Sequence, residues 1–204
     1  MLKPLGSSSG FSLIELMVVV VVLALLLLAA APSMGSWVVD ARIRSTAESL
    51  QNGLRLAQAE ALRRNRRSAF VLTSEAPALG AQPVANGGNW FARALLLSGS
   101  DESDDADDDA AAPQRFIEGG RFEASSIKIT GPALLCFGPL GRQIGLDAKA
   151  SGLGVPCETA DPRIYEVSSS VKGTRTLQVQ VNAGGRVRMC DLARKLSEGH
   201  PDGC

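Results

Sequence analysis

Residues 11–31, FSLIELMVVVVVLALLLLAAA, form the longest apolar run of the chain and carry one charge, Glu15. As a helix these 21 residues would reach roughly 31 Å, about the thickness of a bilayer's hydrocarbon core. A carboxylate inside hydrocarbon is costly unless another group neutralises it. A secretory signal peptide would place basic residues first, then a shorter apolar core, then a small-residue cleavage site. Here the small-residue site comes before the apolar run. The preceding MLKPLGSSSG has a single charge, Lys3, and ends in Gly10.

The heptapeptide Gly10-Phe11-Ser12-Leu13-Ile14-Glu15-Leu16 resembles the processing motif of the type IV pilin family. The resemblance implies that prepilin peptidase cuts after Gly10 and methylates the new amine on Phe11. Glu15 would then be the fifth mature residue, which in that family pairs with the N-terminal amine of a neighbouring subunit. Such pairing supplies the partner that a buried acid needs and sets the register between subunits. Pro32 falls where pilins often carry a helix-bending proline. The implied partners are prepilin peptidase, other pilins or minor pilins through the N-terminal helix, and the inner membrane before assembly. The implied location is a single-pass inner-membrane protein with a periplasmic head, later part of a pilus or pseudopilus.

The implied fold is α+β, the type IV pilin fold, in which a long N-terminal helix packs on an antiparallel β-sheet head. Residues 1–10 are then a leader, 11–36 a transmembrane assembly helix, 37–67 its amphipathic half and 68–204 the head. In the amphipathic half Ile43, Ala47, Leu50, Leu54, Ala57 and Ala61 recur at spacings of four and three, which makes one apolar stripe. The helix is expected to stop near Asn65. The arginines at 63, 64, 66 and 67 suit its negative C-terminal end. Strands are predicted over 69–73, 90–97, 127–130, 134–137, 163–168, 174–181 and 186–190. NAGG at 182–185 reads as a hairpin turn between the last two.

Lys plus Arg and Asp plus Glu both number 21, so net charge is zero. Seven of the acids crowd into 101–109, which leaves a positive surplus elsewhere. The acidic loop, 99–113, is expected to be extended and solvated. Four cysteines, Cys136, Cys157, Cys190 and Cys204, include no CxxC pair, and the chain has one histidine. A metal site is therefore not expected. Two disulfides in an oxidising compartment are expected, and Cys136–Cys157 with Cys190–Cys204 is the favoured pairing because both close local loops; sequence permits three pairings. No Gly-rich phosphate loop and no histidine-based triad is present, so neither catalysis nor a cofactor is expected.

The C-terminal GRVRMCD at 185–191 and LCFGPLGR at 135–142 are similar to the heads of the GspH/FimT group, which comprises secretion pseudopilins and minor pilins of the FimT/FimU type. The pattern Gly185-Arg186-Val187-Arg188 resembles the element by which FimT-type pilins contact DNA during natural transformation. On a strand, Arg186 and Arg188 would point to one face about 7 Å apart, with Arg194 and Lys195 adding charge nearby. The resemblance implies a minor pilin that takes part in pilus assembly or initiation and binds double-stranded DNA without sequence specificity. The alternative is a GspH-type pseudopilin of a type II protein secretion system, in which the arginines have no nucleic-acid role.

Overall fold

The computed structural model describes residues 12–95, 116–122 and 126–204; at 27–34 it describes the backbone and not the side chains. The leader, Gly10, Phe11 and the acidic loop 99–113 lie outside that description; Pro32, expected to bend the helix, lies within the continuous helical backbone.

Helix α1, Leu13–Arg64, has 52 residues, about 78 Å at 1.5 Å per residue. Its end is set by Asn65, which adopts the left-handed conformation at φ 50. The N–H groups of Asn65 and Arg66 turn back to the carbonyls of Leu62 and Ala61. Asparagine is one of the few residues that takes this shape at little cost. Every member of the stripe from Ile43 to Ala61 is buried. Each fully buried Leu or Ile there contributes about 1.5–3 kcal/mol. The large apolar residues between 13 and 26 are instead 49–73% exposed. Among the described residues no helix is long and apolar enough to cross a membrane. The expected span, 11–31, falls partly outside that set.

Among the described residues the head has two four-stranded antiparallel sheets where one was expected. Strands β1 (Ser68–Thr73), β2 (Asn89–Ala94), β3 (Phe116–Arg121) and β5 (Leu134–Phe137) form the first, in the order β3-β2-β1-β5. Strands β4 (Ile127–Thr130), β6 (Arg163–Ser169), β7 (Leu177–Val181) and β8 (Val187–Asp191) form the second, in the order β4-β6-β7-β8. Strand β1 is buried on both faces because period two sends its side chains alternately to two cores. Phe70 and Leu72 meet the stripe of α1 with Trp90 and Tyr165. Ala69 and Val71 join Phe91, Leu134 and Cys136 on the other side. A disulfide from Cys136 to Cys157 closes this second core, and α2 (Ala148–Ser151) lies in the loop it spans.

Two expectations of the sequence need correction. Strand β3 was not anticipated, since FIEGGR has two glycines and two charges and no apolar alternation. The strand expected from 174 begins only at Leu177. Before it, the Arg175 N–H donates to Asp40 Oδ1 at 2.9 Å and the Thr174 hydroxyl to Val171 O at 2.8 Å, which makes a turn.

One row of helix side chains lies along the outer edge of β8. With the Gln51 amide oriented to satisfy its neighbours, its Oε1 accepts from the Met189 N–H at 3.3 Å and from Arg55 Nη2 at 3.1 Å. Arg55 Nη2 also reaches Val187 O at 3.5 Å, and Gln58 Nε2 donates to Gly185 O at 2.8 Å. Positions 51, 55 and 58 share a helix face, and 185, 187 and 189 share a strand edge. The two rows run antiparallel over about 10 Å of helix and about 14 Å of strand. Long side chains make up the difference.

Candidate functional site

Two surfaces carry the residues singled out from the sequence. The first is the N-terminal part of α1. Glu15 lies in its first turn, where the positive end of the helix dipole favours a carboxylate. It is exposed, and among the described residues it has no ion-pair partner. The apolar side chains around it are exposed on every side of the helix.

The second surface surrounds the turn between β7 and β8. Gly185 adopts φ +90, and a Cβ there would collide with the Gly141 carbonyl and the Gln58 amide. Only glycine fits so close an approach of two backbones. Gln58 Nε2 donates to Gly141 O at 2.7 Å and to Gly185 O at 2.8 Å. It thereby joins the 138–141 turn to the 182–185 turn. Gln143 provides a second clip: its Nε2 donates to Val181 O at 2.6 Å and Ala160 O at 3.1 Å, and its N–H to Ala183 O at 3.2 Å. Asn182 Oδ1 accepts from the Arg186 N–H at 2.8 Å.

Of the four basic residues expected to act together, Arg188 and Arg194 are both engaged with the chain's own tail at 201–203. Arg186 lies just before β8, is exposed, and among the described residues its guanidinium has no partner. Arg188, expected to share its outward face, is half-buried. Its Nη2 donates to the carbonyls of Gly203 and Pro201, so its guanidinium secures the C-terminal tail. Arg194 pairs with Asp202 at 2.7 Å. Lys195 is exposed. Both follow Asp191, so the length of β8, about 17 Å, lies between them and Arg186. The Cys190–Cys204 disulfide and the parallel pairing of Asp191 with Gly203 fix the tail beside the strand.

Two positions at this candidate site were missed in the sequence. Arg142 follows Gly141 as Arg186 follows Gly185; it is exposed and its side chain has no partner among the described residues. The matching Gly-Arg pairs in LGR and GGR were the available signal. Gln58 gave none, because a glutamine on an amphipathic helix reads as solvated. At the end of α1, Arg63 and Arg64 both bind Glu60, at 2.7 and 2.6 Å. The Arg63 hydrogen bond, opposed by partial burial and helped by Arg64, holds the Glu60 carboxyl below its ordinary range. These two arginines thus lie at the negative end of the helix dipole, paired with a carboxylate of the preceding turn.

A family model described as type II transport protein GspH matches residues 46–185, and the prokaryotic N-terminal methylation motif matches residues 6–31. Two crystal structures of the type IV minor pilin FimU from Pseudomonas aeruginosa (strain PAO1) are also matched. The form in space group P21 has 16% identity and a TM-score of 0.46, covering 72% of this chain and 87% of that one. The P65 form has 15% identity and a TM-score of 0.44, covering 72% and 90%. No curated protein matches.

Proposed function

This chain belongs to the family of type II transport protein GspH and carries a prokaryotic N-terminal methylation motif; on that premise we propose that it is a minor type IV pilin that assembles through its N-terminal helix. In this reading prepilin peptidase cuts after Gly10 and methylates Phe11. Residues 11–36 hold the subunit in the inner membrane, with the head in the periplasm, until it enters a pilus. The observation that carries the reading is the unequal burial of α1. Its stripe from Ile43 to Ala61 is covered by the head, whereas residues 13–26 expose apolar side chains on all sides. An apolar surface of that size needs lipid or other helices around it.

Glu15 supports the same reading. Its carboxylate has no partner within the described chain, and a neighbour's N-terminal amine would supply one. The test is Glu15→Ala in cells. Cleavage and membrane insertion should be retained and incorporation into fibres lost. Normal incorporation would remove the pairing.

A second element of the reading is contact with DNA. It is favoured by Arg186 and Arg142, two exposed guanidinium groups without partners among the described residues, on turns joined through Gln58. Two contacts give weak, salt-sensitive binding without sequence preference. Several copies along a fibre would raise it. The alternative role, a pseudopilin of a type II secretion system, shares every assembly step and differs in cargo. Deleting the gene separates the two. Loss of DNA uptake or pilus function supports the minor pilin, and loss of protein secretion with intact pili supports the pseudopilin.

A further inference from the structure

We propose that Trp37, with the loop joining β6 to β7 above it, seats the head on the lipid headgroups of the bilayer before assembly. This rests on the membrane reading of residues 11–31 given above.

The chain has two tryptophans, and their environments are opposite. Trp90 is 4% exposed, in the core. Trp37 is 70% exposed, on the part of α1 just before the head begins to pack, with Val39 the first residue against the core. It lies six positions after Ala31, the last of the apolar run, so its Cα lies about 9 Å further along the helix axis. Side chains on a helix lean back towards its N-terminus and cover the preceding turn. The indole therefore sits about 4–5 Å beyond the hydrocarbon edge, inside a headgroup layer about 5–8 Å deep on each side. Tryptophan is enriched at this depth because it joins a large apolar ring to one N–H donor.

The loop sits on the same side. Asp40 is three residues from Trp37, hence its neighbour on one helix face. It accepts from the Arg175 N–H at 2.9 Å and lies 3.6 Å from the Arg175 guanidinium. The loop carrying Arg175 is thereby held beside the helix, one turn beyond the indole. Its other exposed residues are Ser170, Val171 (40% exposed), Lys172 and Gly173. An apolar side chain and a cation on a loop tied to the helix one turn from an interfacial tryptophan suit an anionic headgroup layer.

The test uses the full processed chain in vesicles of phosphatidylethanolamine and phosphatidylglycerol, doped with lipid brominated either near the top or near the end of its acyl chains. Trp37 emission should fall roughly twofold with the shallow label and less with the deep one. In Trp37→Phe the remaining emission, from Trp90, should be insensitive to both labels. Unquenched Trp37 in a chain that still floats with the vesicles overturns the seat and leaves the membrane reading standing. Stronger quenching by the deep label also overturns it, because the ring would then lie in hydrocarbon. A chain that fails to float overturns the membrane reading, and the seat with it.

Discussion

The side-chain amide of Gln58 donates to the backbone carbonyl of Gly185 at 2.8 Å, across 127 residues of sequence. The same nitrogen reaches Gly141 O at 2.7 Å, so one helix residue ties together two turns that each deliver an exposed arginine.

Gln58→Ala leaves both carbonyls without this donor and should lower the stability of the head by about 1–3 kcal/mol. Gly185→Ala should cost at least as much, from its φ of +90 and the collision with Gly141 O. Gly184→Ala is the control, because a Cβ there meets only Asn182 Oδ1 at 3.5 Å. Urea unfolding of the three variants checks the order.

Arg186 and Arg188 should separate in a DNA gel shift. Arg186→Ala removes an unpaired guanidinium and should lower affinity several-fold at low salt, with the salt slope reduced by about 1. Arg142→Ala should behave alike. Arg188→Ala should loosen the tail it binds, and any effect on DNA should follow that loosening. Equal affinity of Arg186→Ala and the parent chain would remove the turn from consideration as a contact.

Replacing Cys190 and Cys204 by serine opens a loop with a sequence separation of 14. The expected loss is about 3 kcal/mol by loop entropy, read from the urea midpoint. The released tail should also free the Arg188 guanidinium from Pro201 and Gly203, seen as rapid exchange of the Asp191 amide and of the amide at position 204, whose N–H groups are bonded within the tail pairing.

Tyr165, the single tyrosine, is fully buried, and burial raises the pKa of its phenol above the ordinary 10.0. Folding therefore favours the protonated form. The sign follows: below pH 10 both states are neutral and stability is complete, and above it the unfolded state gains by ionising. Stability should fall with rising pH from about 10, and Tyr165→Phe should flatten that fall. Phenolate absorbance, which can come only from this residue, should appear together with unfolding.

The helix and its end were legible in the sequence, because the Ile43–Ala61 spacing and Asn65 are local signals. Strand β7 was legible because LQVQV alternates over one buried face. Strand β3 was hidden, since its place at a sheet edge comes from pairing with β2 and FIEGGR carries no period of its own. The Arg186–Arg188 alternation gave a shared face, but the tail's return to Arg188 depends on a contact 15 residues away. Sequence spacing could not weigh that contact.

The row formed by Gln51, Arg55 and Gln58 has a wider consequence. An uncovered β8 would offer its bare backbone to any copy of the same head, and crowded heads could zip together sideways into disordered clumps. With that margin already occupied by the molecule's own helix, β8 has no free run of backbone on which the strand of another copy could settle.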